Sequence, residues 1–328
     1  MLVAGREVNV TNLEKVFFPK MGLTKGELIQ YYVDVADAVL HHVERRPMQM
    51  KRHPNGVEGD FFYQKRVPVP HPEWLQTVHI NYPSGNEADF PVVTDAAGLA
   101  WIANLGCIEL HTWHSRVPDV NKPDYLLIDL DPSEGNPWSH VRDIAMAGKR
   151  VMDDLGLASY PKTSGVTGLH ILVPILPELE FPLVREIARA IAKAIVVLVP
   201  EIATTQWKVA GRPGVFVDYG QNAFDRTIAS AYSIRPVPDA RASAPLRWDE
   251  VPAVEPGDFT MVTMRDRIAA VGDLTAGMWE KAVSLDPLFD ALKLKRTLPK
   301  RSPRTGPPRD WRAAYGKGAG QQRGPSHR

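Results

Sequence analysis

The 328-residue chain has one cysteine, Cys107, which excludes an internal disulfide and any cysteine-built zinc cluster. In the setting LGCIEL it is expected to pack as a small core residue. No apolar run approaches the length needed to span a bilayer, so no membrane association is expected. The opening MLVAGREVNVTNLEKV lacks the basic, then apolar, then small pattern of a secretory signal, and a cytoplasmic location is the expectation. There is no G-x-x-x-x-G-K-[ST], which excludes a P-loop nucleotide site. Internal repeats are also absent. What the chain does have is 44% apolar residues, ample for a core.

The net charge of +1 hides an asymmetry. Residues 293–328 carry 11 Lys or Arg against one acid, Asp310, leaving 28 basic and 37 acidic residues in 1–292. The Pro-, Gly- and Arg-rich tail cannot bury enough apolar surface to fold alone and is expected to be flexible. A basic arm of this kind suits phosphate contacts with nucleic acid; a solubilising end is the alternative. The expected organisation is a body at 1–292, built of two intimately packed subdomains, followed by this tail.

Periodicity and punctuation give the elements. LTKGELIQYYVDVADAVLHHV predicts one helix, with Thr24 and Glu27 as a capping box. The segment from Arg46 to Pro68, with Asn55-Gly56 inside it, predicts a hairpin. Further helices are expected over TDAAGLAWIANLG, from Trp138 towards Leu155, and from Pro182 to Pro200, with a weaker one at LTAGMWEKAV. Strands are expected at DYLLIDLDP, LHILVPI, GVFVDYGQN and RTIASAYSIRP. Helices and strands mix without the strict alternation of a doubly wound parallel sheet, which predicts an α+β fold.

The chemistry concentrates on strand ends. In DYLLIDLDP, alternation sends Leu126, Ile128 and Leu130 to one face and Asp129 with Asp131 to the other. Two carboxylates held that close require a shared proton or a cation. Asp218 leaves GVFVDYGQN in the same way, and three such acids on neighbouring strand ends would suit Mg²⁺ or Mn²⁺. An Asp-x-Asp alone also occurs in sugar-nucleotide transferases and on plain surfaces. In TSGVTGLHILVPI, Gly165 and Gly168 bracket a tight connection whose N–H groups could form an anion-binding nest, with Ser164, Thr167 and His170 beside it. An ordinary glycine turn with a satisfied histidine is the alternative there.

LIDLDP, TSGVTGLH, VFVDYGQN and RTIASAYSIRP, in that order, resemble the polymerase domain of bacterial ligase D, a branch of the archaeo-eukaryotic primase superfamily. TNLEKVFFPKMGLTKGELIQYY and MKRHPNGVEGDFFYQK resemble the same family. The likeness runs to about PLRWDEV and implies an RRM-like catalytic module with antiparallel or mixed central sheets flanked by helices. It implies that Asp129, Asp131 and Asp218 hold two divalent metals, Mn²⁺ or Mg²⁺. It also implies that Lys51, His111, Ser164, His170 and Arg235 contact the incoming nucleotide, together with the Gly165–Thr167 turn. Asn12, Lys15 and Lys25 match residues that bind a 5′-phosphate across a gap. Lys25 stands in the first turn of a capped helix, where its charge opposes the dipole and an anion would be welcome. Phe61 and Phe62 resemble template-stacking aromatics, one of which is expected in the core by alternation. Many relatives carry Lys or Arg at Thr167; Lys162 or Arg212 could replace that charge.

No K-x-D-G nucleotidyl-attachment motif is present, so a stand-alone primase-polymerase is expected. It would fill short gaps in excision repair or end joining, favour ribonucleotides, and act as a nucleoid-associated monomer with Ku and a separate ligase as partners. A non-catalytic DNA-end adaptor and an Asp-x-Asp sugar-nucleotide transferase are the alternatives. The basic and aromatic stretch MKRHPNGVEGDFFYQKR favours nucleic acid.

Overall fold

The computed structural model describes residues 1–82, 85–208 and 212–296. The tail from 297 onward lies outside the described residues, and the folded body runs through Arg296, four residues beyond the expected boundary. Among the described residues no helix is long and apolar enough to cross a membrane.

In chain order the elements are α1 (Lys25–Asp34), α2 (Ala36–Val43), β1 (Met48–Arg52), β2 (Phe62–Gln64), α3 (Ala96–Asn104), β3 (Cys107–Trp113), β4 (Tyr125–Pro132) and α4 (Trp138–Asp154). They continue with β5 (Tyr160–Thr163), β6 (Leu169–Pro174), α5 (Phe181–Leu198), β7 (Ala203–Thr204), β8 (Val215–Asp218), β9 (Thr227–Ala229), α6 (Met264–Val271) and α7 (Asp286–Ala291). Three two-stranded ribbons accompany them, at Leu2–Val3 with Arg6–Glu7, Val16–Phe18 with Leu23–Thr24, and Gln76–Asn81 with Glu87–Val92.

Two sheets organise the body. The first runs β5-β6-β4-β8, all antiparallel, with β7 added in parallel at the β8 edge. Its connectivity β4-α4-β5-β6-α5-β8 is a βαββαβ unit, which is the expected RRM-like module. One face of β4 sends Leu126, Ile128 and Leu130 into a core with Val141, Ile144, Ile187 and Ile191 of α4 and α5. The opposite face is left for chemistry. The second sheet runs β9-β3-β1-β2, antiparallel throughout, with α1–α3 packed around it in a separate core that includes Leu28, Tyr32, Met50, Cys107 and Ile108. Each of the two sheets thus packs against its own large hydrophobic core.

The capping box forms as predicted: the Thr24 hydroxyl accepts from Glu27 N at 3.2 Å, and the Glu27 carboxylate accepts from Thr24 N at 2.7 Å. The predicted single helix breaks at Val35, where neighbouring Asp34 is drawn into a 2.6 Å ion pair with Arg265 of α6. The strand expected over RTIASAYSIRP closes after Ala229, and Tyr232 takes a left-handed φ of 61°. At LTAGMWEKAV only a 3₁₀ turn, Met278–Lys281, is formed, tied down by Trp279 Nε1 donating to His41 O. α6 and α7 were not anticipated, being short and weakly amphipathic.

Candidate active site

The strand register assembles the site. Asp129 of β4 lies opposite His170 of β6 on one side and opposite Asp218 of β8 on the other, while His170 lies opposite Lys162 of β5. Lys162, His170, Asp129 and Asp218 therefore form one transverse row on the face turned from the helices, with Asp131 one step along the same face. Burial pushes the Asp129 carboxyl up to about 6, against the pull of Lys162 and Arg235. Burial, then the Asp129 charge, pushes Asp218 to about 6 as well. Burial and Asp129 likewise raise Asp131. The Asp129 charge disfavours ionisation of Asp131 and Asp218, which is the electrostatic condition a hard dication relieves.

They are not gathered into a finished cage. Among the described residues no three His, Cys, Asp or Glu side chains come together closely enough to hold an ion. Each acid is engaged separately. Asp218 accepts from Gly220 N and from Gln221 Nε2 at 3.1 Å, Asp129 Oδ1 lies 3.4 Å from His170 Nε2, and Asp131 lies 4.0 Å from Arg212. The donor set itself, three carboxylates on one face, fits Mg²⁺ or Mn²⁺.

His170 is held from behind. Lys162 Nζ lies 2.7 Å from His170 Nδ1 and donates to Ala229 O at 3.0 Å and to Ser243 Oγ at 2.6 Å. This turns Nε2 towards Asp129 and the open face. Burial, then the Lys162 and Arg235 charges, lowers His170 well below its ordinary value, so the ring is neutral. Lys162 is fully enclosed and is a support for His170; the suggestion that it replaces the missing charge at Thr167 does not hold. Nor does Arg212 fill that place, since it donates to Gln206 O and Trp207 O at 3.0 Å. Besides Arg235, a basic group beside the turn is Arg241, which donates to Val166 O at 3.0 Å and pairs with Asp239 at 2.8 Å.

The expected anion nest is only partly available. Ser164 Oγ accepts from Val166 N at 3.2 Å and Gly168 N at 3.0 Å, which removes two of the N–H groups and leaves the Ser164 hydroxyl proton to donate outward. Gly165 has φ +75°, and a Cβ there would lie 2.6 Å from Arg235 Cγ; a Cβ on Gly168 would collide with Leu130 O. Both glycines are therefore required by close approach.

Lys51, His111 and Arg235 meet on the second sheet around a residue the sequence reading passed over. Glu109, buried in β3, accepts from Lys51 Nζ at 2.6 Å and from Arg235 Nε at 2.9 Å, and lies 3.1 Å from His111 Nε2. Arg235 also donates to Ser164 O, so one side chain joins the two sheets. The detectable signal was the Glu-x-His alternation in IELHTW.

At the other end of the second sheet, Lys25 Nζ donates to Thr11 O at 2.7 Å and Asn104 Oδ1 at 2.8 Å, while Lys15 Nζ donates to Pro54 O and Asn55 Oδ1 at 2.7 Å. Among the described residues neither lysine makes an ion pair. Burial, then the Lys15 and Arg52 charges, lowers Lys25, as expected where cations share a corner. Asn12, with φ 55°, forms its rim, and Asn104 is a second residue missed by sequence. Phe61 and Phe62 are both exposed, at 45% and 46%, which corrects the expectation that one is core. Phe61 precedes β2, so strand alternation does not govern it; Lys51 Nζ sits 4.4 Å from its ring centroid and Arg52 5.2 Å from that of Phe62.

An RRM-like sheet bearing paired acids, faced by a cluster of phosphate-seeking cations, defines a nucleotidyltransferase of the primase-polymerase class. Comparison with known proteins narrows this. The model of the LigD primase-polymerase domain matches residues 24–275, and the chain belongs to that family. It is 33% identical over 308 residues to the multifunctional non-homologous end joining protein LigD of Mycolicibacterium smegmatis, covering 91% of this chain and 40% of the relative. Against the bifunctional LigD of Bacillus subtilis the identity is 31%, covering 81% and 43%. The chain thus spans about two-fifths of the length of the curated relatives it matches. The solved polymerase domain of Mycobacterium tuberculosis ligase D, in complex with DNA, superposes with a TM-score of 0.79 at 31% identity, covering 84% of this chain and 99% of that one.

Proposed function

We propose that the chain is a template-directed DNA-repair polymerase that extends a 3′ end across a short gap whose far side carries a 5′-phosphate. The observation that carries this reading is the in-register pairing of Asp129 with Asp218 on the face opposite the helices, with Asp131 beside them. In this reading Asp129, Asp131 and Asp218 hold two divalent ions, Mn²⁺ or Mg²⁺. Bound there, the metal supplies Lewis acidity towards the attacking 3′-hydroxyl and charge neutralisation for the triphosphate. The remaining work belongs to the side chains. Lys51, His111 and Arg235 draw in the triphosphate, the Ser164 hydroxyl and His170 Nε2 fix its orientation, and the Gly165–Thr167 turn lets phosphate oxygens approach the backbone. Exposed Phe61 and Phe62 give the template base a stacking surface that tolerates any sequence. Lys15, Lys25 and Asn12 receive the downstream phosphate.

The relatives' names place them in end joining, and the solved polymerase domain was captured on DNA; both fit a partner of gapped or broken DNA, with Ku and a ligase acting alongside. Ribonucleotide preference, a monomeric state and a contribution of the basic tail to DNA binding complete the proposal. The test is extension of a labelled primer on a gapped duplex, with and without the downstream 5′-phosphate, in Mn²⁺ and in Mg²⁺, with ribo- and deoxyribonucleotides. Asp129→Ala should abolish extension and spare gap binding. Binding without any extension by the wild-type protein would instead indicate an adaptor, and neither binding nor extension would remove nucleic acid from the reading.

A further inference from the structure

The register of β3 against β1 pairs Met50 with Leu110 and Arg52 with Cys107, so Ile108 and Glu109 together oppose Lys51. This is a β-bulge, a device that re-aims a side chain where strict alternation would misplace it. Here it sends Ile108 into the apolar core and lets Glu109 meet the ammonium of Lys51.

The Glu109 side chain is wholly enclosed, whereas Lys51, His111 and Arg235 are 15 to 18% exposed. The three come from separate segments: β1, β3 and the stretch after β9. Glu109 accepts from one donor of Lys51 and one of Arg235, and lies 3.1 Å from His111 Nε2. Lys51 keeps two N–H groups, Arg235 keeps Nη2 after Nη1 is given to Ser164 O, and His111 keeps Nδ1. Burial alone would raise this carboxyl, but His111, Arg235 and Lys51 hold it well below the ordinary range, so it is a permanent anion. One buried negative charge therefore offsets the repulsion between Lys51 and Arg235, and the two cations against one anion leave a positive surplus at their partly exposed tips. As a fold-stabilising element alone, a buried ion cluster gains little over apolar packing. The arrangement is better explained by what its exposed tips bind.

We propose that Glu109 is a positioning residue that locks Lys51, His111 and Arg235 into a single receptor for the triphosphate of the incoming nucleotide. The inference rests on the polymerase reading above and deepens it.

Nucleoside triphosphate binding, measured directly with the intact protein and Mn²⁺, is the primary assay, accompanied by steady-state extension. Glu109→Gln is expected to weaken triphosphate binding, and raise KM, by roughly 10- to 100-fold, with kcat at saturation changed by less than about 3-fold and gapped-duplex affinity unchanged. Glu109→Asp keeps the charge one methylene further back and should recover part of the loss. On an Arg235→Gln background, Glu109→Gln should add less than about 2-fold, because the two act as a unit. Unchanged triphosphate binding in Glu109→Gln would overturn the inference, and so would effects that multiply in the double variant. Equal loss of gap and triphosphate binding in Glu109→Gln and Glu109→Asp would reduce the residue to a fold role. Should Glu109→Gln fail to fold, Glu109→Asp decides: wild-type triphosphate affinity in that variant overturns the proposal. A wild-type protein that binds triphosphate without extending a primer defeats the polymerase reading alone, and the variants' binding constants still judge Glu109.

Discussion

Replacing Lys25 by Met removes one ammonium from the cationic corner while keeping an unbranched chain in the first turn of α1. In the wild-type protein the ammonium is pinned by Thr11 O and Asn104 Oδ1, 2.7 and 2.8 Å away, so a 5′-phosphate would meet a donor already held in place. A hydrogen bond to a charged partner contributes about 1.5–3 kcal/mol, which corresponds to roughly 10- to 150-fold in the preference for a phosphorylated over a hydroxyl gap end. The structural penalty is smaller. Asn104 keeps its bonds from Thr11 N and to Asn9 O, and water can reach the exposed Thr11, so about 1 kcal/mol of stability should be lost. The assay is the ratio of extension rates on two duplexes, identical except for 5′-phosphate or 5′-hydroxyl, at subsaturating DNA. Lys25→Met should lower that ratio at least about 10-fold, leave the hydroxyl substrate within about 2-fold, and reduce the salt dependence of gap affinity by about one phosphate contact. An unchanged ratio, or equal losses on both substrates, would refute the assignment of this corner.

Asp129 and Asp218 carry folded values of about 6 against an ordinary 3.8, so each proton adds stability that is complete below about pH 4 and lost as pH rises through about 6. Mn²⁺ competes for the ionised forms, so it should raise the thermal midpoint strongly at about pH 7.5 and weakly at about pH 5, and Asp129→Asn should flatten the difference; equal midpoint shifts at both pH values would contradict this. Phe61→Ala and Phe62→Ala should leave thermal stability within about 0.5 kcal/mol, since both rings are exposed, yet weaken templated extension by about 1–3 kcal/mol per ring, measured as kcat/KM on gapped DNA. Gly165→Ala, at φ +75° and against Arg235 Cγ, should cost about 1–3 kcal/mol in denaturant unfolding and raise the nucleotide KM by shifting Arg235; a wild-type KM would show that the turn does not set that guanidinium.

Much of the first sheet was legible because its residues obey a local rule. Leu126, Ile128 and Leu130 alternate with Asp129 and Asp131, and that period forces the acids out of the core whatever the rest of the chain does. The capping box at Thr24 and Glu27 is equally local. What stayed hidden depends on partners distant in sequence. Glu109 became significant only when a bulge set it against Lys51 and a segment more than a hundred residues later brought Arg235 to it. Asn104 is an unremarked helix-terminal residue until Lys25 reaches it across the surface. The Gly165–Thr167 turn was recognised, but its N–H directions depend on the Ser164 rotamer, which no pattern encodes. The alternation expected of Phe61 and Phe62 fails because Phe61 lies before the start of β2.

A guanidinium that grips a carboxylate on one sheet and a carbonyl on the other makes Arg235 a strap across a seam. Pressure or mild denaturant that loosens the seam should therefore abolish substrate affinity while the far-ultraviolet signature of each half persists. In such a protein, loss of ligand is the early warning of disassembly, well ahead of melting.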